Sequence, residues 1–144
     1  MNKKILKTRK GFTLIELLVV MIILGLLAAL VAPKFFGKIG QSKIKAAKTQ
    51  IELLGSALDS MYLDVGRYPT TEEGLQSLIK RPDTIPATKW KGPYLPKNKI
   101  PKDPWGNDYQ YKSPGEHNKY DLYSYGADGQ QGGTGENADI VSWE

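Results

Sequence analysis

Residues 11–31 read GFTLIELLVVMIILGLLAALV, and this stretch decides the fold. From Phe12 onward it is apolar except for a single acid, Glu16. About 20 apolar residues rise roughly 30 Å as a helix, which is enough to cross a bilayer. No A-x-A-like cleavage site follows, so the stretch differs from a conventional secretory signal. We therefore predict a membrane helix that stays attached to the mature chain.

The net charge of +5 is concentrated ahead of this stretch. Five cations and no acid precede Phe12, and removing them from 20 Lys and Arg leaves 15, which equals the 15 Asp and Glu. The excess charge therefore indicates membrane orientation, with a cytoplasmic N-terminus and the C-terminal part outside, and no nucleic-acid partner. The absence of cysteine excludes disulfides and thiolate metal sites. The five cations are Lys3, Lys4, Lys7, Arg9 and Lys10.

Glu16 needs an explanation, because a charge at membrane depth is expensive. One interpretation is that the carboxylate reaches back to the interface. The other is a cationic partner. Since no Lys or Arg lies in the run, a new amine on Phe12 would supply that partner if the chain were cut after Gly11.

Residues 10–16, KGFTLIE, closely resemble the processing site of type IV pilins and pseudopilins. The match includes the basic leader, Gly11, Phe12 and the acid at the fifth position after the cut. The resemblance implies that residues 1–11 are a leader removed by a prepilin peptidase and that Phe12 is N-methylated. It also implies that Glu16 neutralises the Phe12 amine in an assembled filament, and that residues 12–32 form the transmembrane and filament-core helix.

A second helical pattern follows and ends near Val65, where Gly66 and Pro69 stop it. Its apolar residues recur at spacings of three and four, so they share one helix face, which we expect to pack against a small domain. Residues 33–40, with one proline and two glycines, are the weakest part of the helical pattern. The apolar face comprises Ile44, Ala47, Ile51, Leu54, Leu58, Met61 and Val65.

The remainder predicts a small antiparallel sheet. Thr70 and Glu73 have the spacing of a capping box at a helix start. Alternating residues around 109–111 and 120–125 predict a hairpin, with a third strand from either residues 92–95 or the C-terminal tail.

No catalytic constellation is evident, so we expect no enzyme. The single histidine, His117, lies in a turn and is predicted to be exposed and without a role. The tyrosines that alternate with polar residues indicate sheet packing rather than a base-stacking platform.

Blocks along nearly the whole chain resemble the major pseudopilins of type II secretion systems. The resemblance implies an α+β, type IV pilin-like fold, in which a long helix with a transmembrane half and an amphipathic half packs on a small antiparallel sheet. Residues 33–144 would form a periplasmic domain. The blocks are GRYPTTEEGL (66–75), WKGPY (90–94), DPWG (103–106), DLYS (121–124), GADG (126–129) and ADI (138–140).

The implied function is that of a structural subunit. It would polymerise into a pseudopilus, the periplasmic filament that drives folded proteins across the outer membrane. The implied partners are copies of itself, minor pseudopilins, the prepilin peptidase, an inner-membrane assembly platform and the inner membrane.

Residues 125–139, YGADGQQGGTGENAD, form a glycine-rich loop with hard oxygen donors, which suit calcium. Composition alone favours a solvated loop, whereas the resemblance implies one structural Ca²⁺. The family often has an acid directly after position 134, where this chain has Gly135. The predicted ligands are the carbonyl oxygens of Tyr125 and Thr134 and the side chain of Asp128, with Glu136, Asn137 and Asp139 as further candidates.

Two other functions fit parts of the pattern. A type IV pilus major pilin, serving adhesion, motility or DNA uptake, more often has a cysteine pair that closes a C-terminal loop, and this chain has none. A monomeric, membrane-anchored, calcium-dependent binding domain would not be cleaved at Gly11 and would tolerate Glu16→Ala.

Overall fold

The computed structural model describes residues 10–144, so most of the predicted leader lies outside the described residues. One long helix is followed by short elements that form a small sheet. The three strands pair antiparallel in chain order, with the second strand in the middle. The elements are α1 (Leu14–Val65), a 3-10 helix (Leu75–Leu78), β1 (Gln110–Lys112), β2 (Asp121–Ser124), a second 3-10 helix (Gly135–Asn137) and β3 (Ile140–Val141).

The predicted hairpin is confirmed, with Tyr111 opposite Leu122 in the β1–β2 pair. The third strand comes from the C-terminal tail, where Ile140 lies opposite Ser124. Residues 92–95 form no strand. The predicted long helix and small antiparallel sheet are therefore both present.

The chain divides into two compact units, one ending at Lys38 and the other comprising Ile39–Glu144. The second unit contains the core. Six of the seven residues on the predicted apolar face are buried, and the seventh, Ile44, packs partly buried against them. The core is completed from the rest of the domain by Leu75, Leu78, Ile85, Tyr109, Leu122 and Ile140.

The weak helical pattern of residues 33–40 produces no break, because α1 runs through Pro33. A proline removes one hydrogen bond, but long helical sequence on both sides keeps the neighbouring turns formed. The sequence predicts a weak helix at residues 33–40, whereas α1 is continuous there.

The segment after α1 differs from its prediction. Thr70 and Glu73 form the expected capping box, with Thr70 N–H donating to Glu73 Oε2 at 2.8 Å and Glu73 N–H donating to Thr70 Oγ1 at 3.2 Å. However, a turn and a four-residue 3-10 helix follow instead of an α-helix. The backbone at Gly74 has φ of +61°, which is incompatible with continuing a right-handed helix.

The Glu73 carboxylate also accepts two hydrogen bonds from the guanidinium of Arg67, with N–O distances of 2.7 and 2.8 Å. The hydrogen bonds from Arg67 are the largest influence that holds the pKa of Glu73 at about 2, well below its usual value, against the opposing effect of burial. The side chain of Glu73 is only 8% exposed. This pair therefore fixes the turn by which the chain leaves α1.

The tyrosines pack within the domain, as predicted. Tyr109 is buried, and the ring of Tyr120 lies 4.8 Å from that of Tyr68 and 5.9 Å from that of Tyr111. The Tyr111 hydroxyl donates to the Pro69 carbonyl at 2.7 Å, and burial raises its pKa to about 12. These rings join the sheet to the turn after α1.

Candidate functional site

The bond between Gly11 and Phe12 lies ahead of the first helical residue, Leu14, and is exposed. Phe12 is 86% exposed, and apart from the neighbouring residues no atom of the described part of the chain lies within 4 Å of where a Cβ on Gly11 would stand. A protease needs extended, accessible backbone, and helical structure begins only after this bond. The predicted cleavage position therefore lies in exposed, non-helical backbone.

Glu16 is engaged locally in a way the sequence interpretation missed. Its Oε2 accepts the backbone N–H of Thr13 at 2.9 Å, and the Thr13 hydroxyl accepts the N–H of Glu16 at 3.3 Å. This is a capping box, which satisfies two backbone donors at the start of α1. The spacing of Thr13 and Glu16 is the T-x-x-E signature, so the sequence contained the signal.

Residues 14–31 form a cylinder of exposed apolar side chains. The most apolar 18-residue window of α1 has a mean hydropathy of 3.0, and none of it is buried. Individual exposures reach 88% at Leu14 and 71% at Leu30. An apolar surface this continuous requires lipid or other protein around it. By length and composition the helix can cross a membrane.

The glycine-rich loop is supported from the turn at residues 103–107. Asp103 is buried and accepts the N–H groups of Trp105 and Asn107 at 3.1 and 2.8 Å. It also accepts the Ser124 hydroxyl at 2.7 Å, and the Ser124 oxygen in turn accepts the N–H of Gly126 at 3.1 Å. A continuous hydrogen-bonded path therefore joins this turn, the end of β2 and the start of the loop.

The two arms of the loop approach each other closely. Ala127 N–H donates to the Glu136 carbonyl at 2.8 Å. Gly126 has φ of +73°, and a Cβ there would lie 2.6 Å from the same carbonyl. Glycine at 126 thus meets both a conformational and a steric requirement.

The two aspartates of the predicted calcium set stabilise the loop backbone. Asp128 Oδ1 accepts the N–H of Gln130 at 3.1 Å. Asp139 accepts the N–H of Gly132 through both oxygens, at 3.1 and 3.0 Å. A carboxylate has about four acceptor positions, so both retain capacity for a hard cation. Asp128 is exposed and Asp139 half-buried.

The Glu136 side chain contacts residues outside the loop. Its Oε2 accepts the indole N–H of Trp105 at 3.4 Å, and its carboxyl group lies over Gly40 of α1. A Cβ on Gly40 would stand 1.8 Å from Glu136 Oε1, so a larger residue there would displace the Glu136 carboxyl group. Glu136 therefore connects the loop to the helix.

The other predicted ligands belong to the second 3-10 turn. The Thr134 carbonyl accepts the N–H of Asn137 at 3.1 Å, and Asn137 is exposed. Within residues 10–144 no three acidic or histidine side chains gather into a cluster suited to a metal. A cation bound in this loop would therefore draw on backbone carbonyls, including that of Tyr125, as well as on carboxylates.

His117 is exposed, as predicted, but the expectation that it has no role in the fold is wrong. Its ring stacks 4.0 Å from the Trp143 indole, and its Nδ1 lies 2.9 Å from Asp121 Oδ2. Burial opposes ionisation of Asp121, yet hydrogen bonds from the His117 side chain and nearby backbone N–H groups outweigh it and lower its pKa. The return of the tail as β3 brings Trp143 to this turn.

Two family models match the chain. One, described as type II secretion system protein G, matches residues 34–143. The other, a prokaryotic N-terminal methylation motif, matches residues 6–32 and includes the Gly11–Phe12 bond.

Curated relatives match over almost their full length. A type II secretion system core protein G from Pseudomonas aeruginosa is 48% identical over 140 residues, which cover 96% of this chain and 97% of that protein. A core protein G from Vibrio cholerae is 45% identical over 141 residues, covering 97% and 95%.

A solved structure has the same fold. The crystal structure of the major pseudopilin from the type 2 secretion system of enterohaemorrhagic Escherichia coli aligns with a TM-score of 0.62 at 33% identity. The alignment covers 75% of this chain and 92% of that one.

Proposed function

This chain belongs to the type II secretion system protein G family, and from that membership we propose that it is the structural subunit of a periplasmic pseudopilus. The observation that carries the proposal is the fully exposed apolar segment of α1, immediately preceded by an accessible Gly11–Phe12 bond. In the proposed cycle the bilayer holds the subunit first, with its N-terminus in the cytoplasm. The filament core then replaces the lipid around the same surface.

In this proposal a prepilin peptidase cuts after Gly11, and the N-methylated amine of Phe12 becomes available to the carboxylate of Glu16. Glu16 then exchanges its backbone partner, the N–H of Thr13, for a full cation in the assembled filament. Pairing a carboxylate with a cation at low dielectric favours assembly, since an unpaired charge there is costly. Minor pseudopilins and an inner-membrane assembly platform complete the proposed set of partners.

A secretion assay tests the proposal. In a strain lacking the gene, the wild-type chain should restore release of secreted enzymes into the medium, whereas Glu16→Ala should not, although the protein accumulates in the inner membrane. Glu72→Ala, which changes an exposed glutamate of the domain, should restore release. If the deletion abolishes twitching or transformation and leaves secretion intact, the chain serves a type IV pilus instead.

We further propose that the glycine-rich loop binds one structural Ca²⁺, with Asp128 and Asp139 as its carboxylates. Both side chains are held by loop N–H groups and retain acceptor capacity. The ion would neutralise two like charges and cross-link the arms of the loop. The contact of Glu136 with Trp105 favours a second carbonyl ligand, such as Thr134, over the Glu136 carboxylate.

Thermal melting of the mature chain in detergent, with calcium or with chelator, tests this site. Calcium should raise Tm, and Asp128→Ala should abolish the shift. Glu136→Gln should lower the basal Tm but keep the shift, and loss of the shift in that variant would make Glu136 a ligand. Identical melts with calcium and chelator would rule the site out.

A further inference from the structure

Residues 34–38, KFFGK, follow directly after the apolar segment, and we call them the collar. Lys34 and Lys38 are exposed. Phe35 and Phe36 are 61% and 67% exposed, and their rings lie edge to face with centroids 6.4 Å apart. Lysines beside exposed phenylalanine rings are typical of helices that lie at a membrane–water interface, where the rings are buried at the acyl boundary and the cations face the headgroups.

The sequence around the collar is basic. No Asp or Glu occurs between Glu16 and Glu52. Lys34 and Lys38 are four residues apart on one helix, so they lie on the same face. An anionic surface beside the helix would interact favourably with that face.

We propose that the collar binds the anionic phospholipid headgroups of the outer leaflet. The inference rests on the proposed function, which places the chain after residue 32 outside. The two phenylalanine rings enter the boundary between headgroups and acyl chains, while the lysines extend along it to the phosphates. Lipid is favoured over a second copy as the occupant because the collar continues a segment that lipid surrounds before assembly.

Removal of the leader changes which cations flank the apolar segment. Before cleavage, five cations precede Phe12 and outweigh the two of the collar, so the leader sets the orientation. Cleavage after Gly11 removes all five, and the lysine side chains that flank the segment are then all on its outer side. The mature subunit is thus held at the leaflet that faces the proposed site of filament growth.

Spin-label measurements of lipid association test the collar in the mature chain, residues 12–144, reconstituted in phosphatidylcholine vesicles. Spin-labelled phosphatidylglycerol should associate more strongly than spin-labelled phosphatidylcholine, by about 25-fold if each of the two lysines contributes ~1 kcal/mol. Lys34→Gln/Lys38→Gln should bring the ratio close to one, and added salt should lower it in the wild type. The control Lys97→Gln/Lys99→Gln removes two lysines of the folded domain and should keep the ratio.

Equal association of the two lipids with the wild type, or an unchanged ratio in the collar variant, would overturn the proposal. It would also be wrong if the variant kept its lipid selectivity but lost cross-linking between copies, since the partner would then be a second subunit. The measurement requires no filament. A failure here therefore leaves the proposed assembly standing, and a failure of assembly leaves the lipid contact standing.

Discussion

In residues 10–38 the large apolar side chains are exposed, whereas in Ile39–Glu144 those on one face of the same helix are buried in a core. Leu27 is 53% exposed and Leu58 is fully buried, although both are leucines of α1. The first unit therefore contributes an apolar surface that only lipid or other subunits can cover. The second unit contains the core and carries the loop and the sheet.

The largest expected effect contrasts these two leucines. Leu58→Ala leaves a cavity in the core and should cost about 2–5 kcal/mol of unfolding free energy. Leu27→Ala should leave domain stability unchanged and reduce filament yield. Denaturant unfolding in detergent, followed by tryptophan fluorescence, measures the first effect, and sedimentation of filaments measures the second. Equal destabilisation by both variants would contradict the division into two units.

A smaller effect is expected at the turn that leaves α1. Glu73→Gln removes the charge paired with Arg67 and should cost about 2 kcal/mol, because the guanidinium loses its bidentate partner. Glu72→Gln changes the exposed neighbour and should stay within about 0.5 kcal/mol.

The same pair predicts a pH dependence. The pKa of Glu73 is lowered from 4.5 to about 2, so its contribution to stability is complete above pH 4.5 and declines as the pH falls toward 2. The free energy of unfolding should therefore fall less steeply between pH 4.5 and pH 2 in Glu73→Gln than in the wild type. An identical decline in both proteins would show that the pair contributes nothing.

The smallest effect compares two helical glycines on either side of the division. No atom lies within 4 Å of a Cβ on Gly37, so Gly37→Ala should be neutral or stabilise the helix by up to about 1 kcal/mol. Gly40→Ala should not stabilise the helix in this way, because its Cβ displaces the Glu136 carboxylate and exposes Trp105. Adding Glu136→Ala to Gly40→Ala should restore the stabilisation, and strict additivity of the two changes would argue against the contact.

Much of the fold was predictable from periodicity. The apolar stripe from Ile44 to Val65 corresponds to the buried face of α1, and the two alternating tyrosine segments correspond to β1 and β2. The helix start predicted at Thr70 was only half right, because pattern and capping signals do not reveal that Gly74 adopts positive φ. The third strand was also open in the sequence, because local pattern does not tell whether residues 92–95 or the C-terminal tail pairs with β2.

Local motifs are enough to propose the candidate sites at the Gly11–Phe12 bond and in the loop at residues 125–139, and both stay predictions. The support from Asp103 and the contact of Glu136 with Gly40 join residues far apart in sequence. Such contacts have no local signature. The capping box of Thr13 with Glu16 does have one, the T-x-x-E spacing, so the backbone partner of Glu16 could be predicted from sequence.

The central claim is that the apolar segment is an assembly surface on a processed subunit. The most direct test is the intact mass of this chain in filaments sheared or pelleted from cells that produce it. We predict that pelleted filaments contain a chain that begins at Phe12 and carries one methyl group. A chain that retains the leader, or one that never pellets as filaments although it is correctly processed, would contradict the account.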